Sequence, residues 1–373
     1  MWGSVLCAVL KLALRLELGA EYDSNSTRAE VVAGAQTQDP VVGAAVLRST
    51  ARLQLGWRRG INQLRASGLV GGKVFLDGSV QDQNTFVGQL AVDDQLRVHQ
   101  RLSLGVSGDY YDVSQQTVVS NCSVRSCDRH RDFRSGSAQL RLVGHGDLAQ
   151  VTLTGGYRGF RWKPDPSYDF QSAQGQLQIL VRFDVAHGKS ELDLTAGYQL
   201  ERRFYAGLAA RNICPPGDPI EARCLDVGTD SRRDWFHQAG LELTWVGPVL
   251  LSAGYALQLT SSTSFGQSLL RGIFTVKLGA RLPWQLFLTL KGQLLANKYL
   301  DPVLLSREVN SQTLVSIEDE NRNAFVADLE RPIGRSGVAI EARYSVFTNE
   351  LSAAPVSFLR QVAYLGVTWR FAR

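Results

Sequence analysis

The stretch AYLGVTWRF, Ala363 to Phe371, lies two residues before the end of the chain and sets the reading of the fold. Ala363, Leu365, Val367, Trp369 and Phe371 share one parity, while Tyr364, Gly366, Thr368 and Arg370 share the other. A period of two is the signature of a β-strand whose faces meet different surroundings. The alternation recurs upstream. In LALRLELGAEY (Leu12 to Tyr22) the leucines, Ala20 and Tyr22 oppose Arg15, Glu17 and Glu21. In AQGQLQILVRFDV (Ala173 to Val185), Leu177, Ile179, Val181, Phe183 and Val185 oppose glutamines, Arg182 and Asp184. WQLFLTLKGQLLAN (Trp284 to Asn297) sets Trp284, Leu286, Leu288, Leu290 and Leu294 against Gln285, Thr289, Lys291 and Gln293. These runs last about ten residues or more, the length that crosses a bilayer at a tilt. Strands of soluble sandwiches run only about five or six.

Composition permits this reading without announcing it. A mean hydropathy of -0.10 resembles that of a soluble protein. No stretch reaches the roughly 18 unbroken apolar residues of a spanning helix, which excludes a helical membrane protein. A transmembrane barrel alternates lipid-facing and lumen-facing residues, so its average hides the apolar surface. Abundant glycine (35) and a single methionine suit strands better than helices. The net charge of +5 over 373 residues comes without a basic cluster interleaved with aromatics, so nucleic acid is not an expected partner.

Connections carry the topology. Strands are expected near 12–22, 46–59, 61–76, 85–98, 101–113, 136–146, 148–161, 168–186, 190–205, 234–246, 249–262, 265–281, 284–299, 321–331, 335–347 and 358–372. Tight connectors at RGI, HQR, HGD, AHGKS, GP, LPW and PIGR alternate with long ones such as 23–45, 114–135, 206–233 and 300–320. Short turns on one rim and long loops on the other mark an outer-membrane barrel, with the short turns periplasmic and the long loops extracellular. An apolar face along every strand, with no helical pattern to cover it, needs lipid as its covering. In hydrocarbon, closure of the sheet is what pairs every backbone group. The expected fold class is therefore all-β: a single antiparallel transmembrane barrel of about 16 strands, with room for 18 if the long loops hold two more. Aromatics near the strand ends, Tyr22, Trp57, Tyr110, Tyr157, Tyr198, Trp245, Tyr255, Trp284, Trp369 and Phe371, suit interfacial belts.

Residues 1–10, with the apolar MWGSVLCAVL and no basic start, read as a signal-peptide remnant or N-terminal extension, and 11–373 as the barrel. Cys122 with Cys127, and Cys214 with Cys224, each fall within one long loop. Two local disulfides in an oxidising compartment are expected. The competing reading is metal, but C-x4-C and C-x9-C lack the histidines and compact spacing of zinc sites.

The closing stretch resembles the C-terminal β-signal of Gram-negative outer-membrane barrels, in which a terminal Phe follows alternating hydrophobics. Phe371 takes the aromatic position, with Trp369, Val367 and Leu365 in step; Ala372 and Arg373 depart from the pattern, in which Phe is last. The resemblance implies a Gram-negative outer membrane, lipid around the wall and the barrel assembly machinery as a partner. The chain as a whole, with LRLELGAEYDSN in its first strand and SGLVGGKVFLD in its third, is similar to barrels that partner OPX-type periplasmic proteins in exopolysaccharide export. That likeness implies a polysaccharide-export pore acting with such a partner. It transfers no functional residue.

If the apolar parity faces lipid, the other lines a lumen. Arg15, Arg48, Arg52, Arg58, Arg65 and Lys73, joined by Arg360 and Arg370 of the last strand, form a basic arc. Asp184, Asp193, Glu201 and Glu242 form an acidic stretch, followed by Asp328, Glu330 and Glu341. Opposed charges would set up a field across the pore. Alternatively, inward charges on adjacent strands neutralise one another, since charges in a membrane barrel need partners. The basic arc, whose charges outnumber nearby acids, could attract anionic glycans or other anions. No catalytic motif, metal cluster or cofactor signature stands out, and Gly71, Gly72 and Lys73 lack the rest of a phosphate loop, so no enzyme activity is expected. The expected role is passage: polysaccharide export first, a general or anion-preferring diffusion porin second. A barrel anchoring a surface or motility assembly is the third reading.

Overall fold

The computed structural model of the chain describes residues 9–27, 31–32, 41–115, 132–163, 165–185, 190–213, 225–301, 322–349, 351 and 356–372. The four cysteines of the expected disulfides, and Cys7, lie outside these residues. From the N-terminal side run β1 (Val9–Asp23), β2 (Val31–Val32), β3 (Ala44–Arg59), β4 (Asn62–Phe75), β5 (Thr85–His99) and β6 (Leu102–Gln115). There follow β7 (Phe133–His145), β8 (Ala149–Trp162), β9 (Phe170–Val185), β10 (Ser190–Asn212), β11 (Leu225–Val246) and β12 (Val249–Ser262). The last are β13 (Leu269–Arg281), β14 (Phe287–Tyr299), β15 (Asn323–Pro332), β16 (Val338–Thr348), β17 (Val356–Ser357) and β18 (Leu359–Ala372). All but β2 and β17 form one antiparallel wall, and β1 pairs with both β3 and β18, closing a barrel of sixteen strands. The two-residue β2 and β17 pair with each other and stay out of the wall.

The two parities separate as the alternation requires. On β18, Leu365, Val367, Trp369 and Phe371 are exposed on the outside, 41 to 63 %, while Tyr364 and Thr368 are buried inside. Around the wall the exposed outer face is Leu, Val, Ile and Phe. Tyr22, Tyr110, Tyr157 and Tyr344 point outward in the long-loop halves of their strands, Tyr255 at the middle of β12 and Tyr198 in the lower half of the long β10, while Trp57, Trp245, Trp369 and Phe371 point outward toward the short-turn ends. Belts of amphipathic rings at two levels, with aliphatic side chains between them, fit the two interfaces of a bilayer.

Closure depends on a packing detail in AYLGVTWRF. The Tyr364 ring lies inside the wall over Gly19 and Gly366, which are opposite each other in register. A Cβ on Gly366 would sit 2.8 Å from the Leu18 carbonyl oxygen, and one on Gly19 would sit 2.5 Å from that of Leu365. The glycines let the ring press against the β1–β18 seam. Gly366→Val is expected to destabilise the folded barrel by at least about 1–3 kcal/mol through overpacking. The loss would be read as a lower midpoint in urea for the detergent-refolded protein, and an unchanged midpoint would refute the packing account.

Two features depart from the sequence reading, and a third is one that alternation does not address. Trp284 is not a strand residue: Pro283–Gln285 is a 3-10 turn in which Trp284 and Gln285 have φ of 59 and 62°, and β14 begins at Phe287. Pro283 has no N–H for the ladder, so pairing breaks there. β10 and β11 run to 23 and 22 residues, well past 205 and before 234, with register shifts after Phe204. Above the lipid belt the outer face meets water as well, so no contrast between two solvents imposes the alternation and the extension carries little signal. Finally, the 76–84 connection turns inward. Asp77 accepts hydrogen bonds from the Ser79 N–H and hydroxyl, 2.9 and 2.8 Å, which hold its carboxyl below the usual carboxylate range. The turn it caps buries Val80 against Ala44, Val46 and Phe75, whose side chains face the lumen.

Candidate functional site in the barrel lumen

Strand register places the inward residues. Odd positions of β1 and β4 and even positions of β3 and β18 share the inner face, so all eight residues of the basic arc lie on it. The structure divides them by surroundings. Arg48, Lys73 and Arg360 are buried near the long-loop rim, 1 to 4 % exposed. Lys73 Nζ donates to Glu21 at 2.7 Å, Arg48 lies 3.3 Å from Glu17 and 3.8 Å from Glu21, and Arg360 grips Asp23 through Nε and Nη at 2.5 to 2.9 Å. Arg343 of β16 joins Glu17 at 3.7 Å and Asp328 at 3.0 Å, and also meets Glu341. Glu341 in turn accepts from Arg15 at 3.1 Å and Thr368 at 3.0 Å. This network ties β15, β16 and β18 to β1, β3 and β4 across the seam. It is mortar for closure, and its charges are neutralised in place.

The acidic set divides likewise. Glu201 is buried with Arg203 at 2.9 Å and Ser172 at 2.6 Å, beside stacked Phe133, Phe160 and Phe170. Asp193 pairs with Arg182 at 3.1 Å, and Glu242 accepts from Ser252 at 2.7 Å. Asp184 is exposed toward the short-turn end of β9, and Glu330 binds Arg370. Most buried inward side chains lie toward the long-loop ends, where Val80, Phe75, Phe347 and Phe170 pack.

The short-turn half is open. Arg52, Arg58 and Arg65 are exposed to the lumen and bridge no acid among the described residues. Asp93, opposite Arg65 in register, is held by Arg141 at 2.5 Å. A cavity of about 1170 Å³ opens here, walled by Lys11, Gln54, Arg58, Arg65, Asp93 and Asp109. Arg370, Arg15 and Arg52 stand side by side in register on β18, β1 and β3. Like charges directly opposite one another destabilise a sheet. Glu330 and Glu341 each steady one of the three from the side, and Arg52 faces the lumen with no acid bridging it among the described residues. Lys277 and Lys291 repeat the motif on β13 and β14, again opposite each other and inward. The sequence reading puts Lys291 on the polar face of its strand without counting it among the lumen charges, and it passes over Lys277 and Lys11, although the parity opposite to Phe274 was available to find Lys277. Among the described residues no three histidines, cysteines, aspartates or glutamates gather as a metal site.

No protein-family model matches the sequence, and no curated protein matches it. Solved structures do. OccAB1 of Acinetobacter baumannii superimposes with a TM-score of 0.50 at 8 % identity, covering 97 % of each chain. The fold is that of Gram-negative outer-membrane barrels. The outer membrane protein OpdK of Pseudomonas aeruginosa matches with a TM-score of 0.45 at 11 % identity, covering 98 % of this barrel and 99 % of its own chain. OmpT of Vibrio cholerae, expressed in the outer membrane, matches with a TM-score of 0.42 at 11 % identity over 98 and 97 % of the two chains.

Proposed function

We propose that this barrel is a passive pore of the outer membrane that favours small anionic solutes. The observation behind the reading is the open half of the lumen, where Arg52, Arg58 and Arg65 face solvent and bridge no acid among the described residues, and Arg15, Arg52 and Arg370 align against their own repulsion. A fixed positive field on one side of a low-dielectric wall concentrates anions and leaves them loosely held, which passage requires. Polysaccharide export has less behind it. The open wall offers guanidinium, ammonium and amide groups, whereas the inward aromatics Phe133, Phe160, Phe170 and Tyr205 are buried in their own cluster and present no surface for stacking on sugar rings.

The purified protein in a planar bilayer is expected to conduct ions and, under a KCl gradient, to give a reversal potential of the sign for chloride over potassium. The preference should weaken as salt rises, because the screening length falls from about 10 Å at 0.1 M to about 3 Å at 1 M. A barrel that conducts nothing, or that prefers potassium, rejects the reading.

A further inference from the structure

On one side of the barrel the outer face changes character just beyond the tyrosine belt. Arg134 on β7 and Arg161 on β8 stand directly opposite each other in register, and both are exposed. Their strands carry the outward Ala138 and Tyr157 a few residues below, so both guanidiniums sit at the top of the apolar band. Arg134 donates to Asp112 at 2.8 Å, and Asp112 is shared with Lys163 at 2.8 Å; Arg161 has no acid among the described residues. Two strands on, the same level carries Arg202 of β10 and Arg233 of β11, again with no acid among the described residues. Arg202 lies between Phe204 and Trp235, 5.0 and 4.9 Å from their ring centroids, with the Tyr198–His237 hydrogen bond of 2.8 Å below it. At the long-loop ends of β3, β4, β5, β12 and β13 the outward residues are Leu47, Val74, Phe86, Leu259 and Leu270. On β14 the outward Lys298, opposite Leu270, is exposed at this level as a single cation, so the arginines are densest over β7 to β11.

Asp112 and Asp132, the latter 2.9 Å from Lys163, answer Arg134 and Lys163 but not Arg161, so the facing pair keeps one positive charge in excess that a further anion would relieve, and arginines beside Trp and Phe at an interface match an anionic headgroup attached to an apolar body. We propose that this arc binds a phosphorylated glycolipid of the surrounding leaflet, its phosphates on Arg134, Arg161, Arg202 and Arg233 and its acyl chains on the apolar strands beneath. The site is outside the lumen and independent of what the pore passes.

The test uses the full-length barrel in detergent with defined lipid A, the same glycolipid enzymatically dephosphorylated, or inorganic phosphate, with binding followed by native mass spectrometry. Phosphorylated lipid A is expected to stay bound. The Arg161→Gln/Arg202→Gln variant should weaken it at least about tenfold, the loss of one or two charge-assisted hydrogen bonds. Arg331→Gln, an outward arginine at the opposite rim, should change nothing, and intact heat-modifiability on gels establishes that each variant is folded. Equal retention of the dephosphorylated lipid, displacement by inorganic phosphate at comparable concentration, or equal loss in Arg331→Gln would each overturn the proposal.

Discussion

Asp23→Ala is expected to destabilise the barrel by about 3–5 kcal/mol, the cost of leaving one member of a buried ion pair alone. Asp23 and Arg360 are 337 residues apart in sequence, both essentially without solvent contact, and joined by bonds of 2.5 to 2.9 Å at the β1–β18 seam. Asp23 also accepts from the Asn25 N–H at 3.1 Å, so its loss unpicks the start of the first long loop as well. Urea unfolding of the refolded protein gives the measurement. Arg360→Leu alone should cost a similar amount. The double variant Asp23→Leu/Arg360→Leu should cost much less than the two together, because replacing both partners by apolar groups removes the stranded charge. Additive losses would mean that the pair is not coupled and that closure rests on the ladder alone.

Reversing the open part of the basic arc, with Arg52→Glu, Arg58→Glu and Arg65→Glu together, is expected to turn the pore from anion-preferring to cation-preferring. A unit charge about 4 Å from an ion in water contributes about 1 kcal/mol, roughly fivefold in local occupancy, and three reversals on one wall act in the same direction. Arg48→Gln is the contrasting case. Its charge is already matched by Glu17 and Glu21, so it should lower the urea midpoint and leave the reversal potential nearly where it was. If Arg48→Gln shifted selectivity as far as the triple reversal, the division between locked and open arginines would be wrong.

That division was the part of the site hidden in the sequence. Parity alone put Arg48 and Arg52 on the same face of one strand, four residues apart, and gave no reason to treat them differently. What separates them is their neighbours in register: Arg48 lies beside Lys73 and the glutamates of β1, Arg52 beside Arg15 and Leu69. A similar limit applied to Trp284, whose parity fits an outer belt although Pro283 takes it out of the ladder. The Asp112, Arg134 and Arg161 alignment was invisible for the same reason, being a relation among three strands.

By itself, the sequence determined that the chain is a closed wall of sixteen or so strands with an apolar outside, because alternation is a local response to two solvents and needs no knowledge of partners. AYLGVTWRF already stated which of its side chains meet lipid. Only the tertiary structure decided which inward charges are spent on closing the seam and which remain to act on a solute. Pairing depends on register and depth between strands far apart in the chain, and a period of two leaves both unspecified.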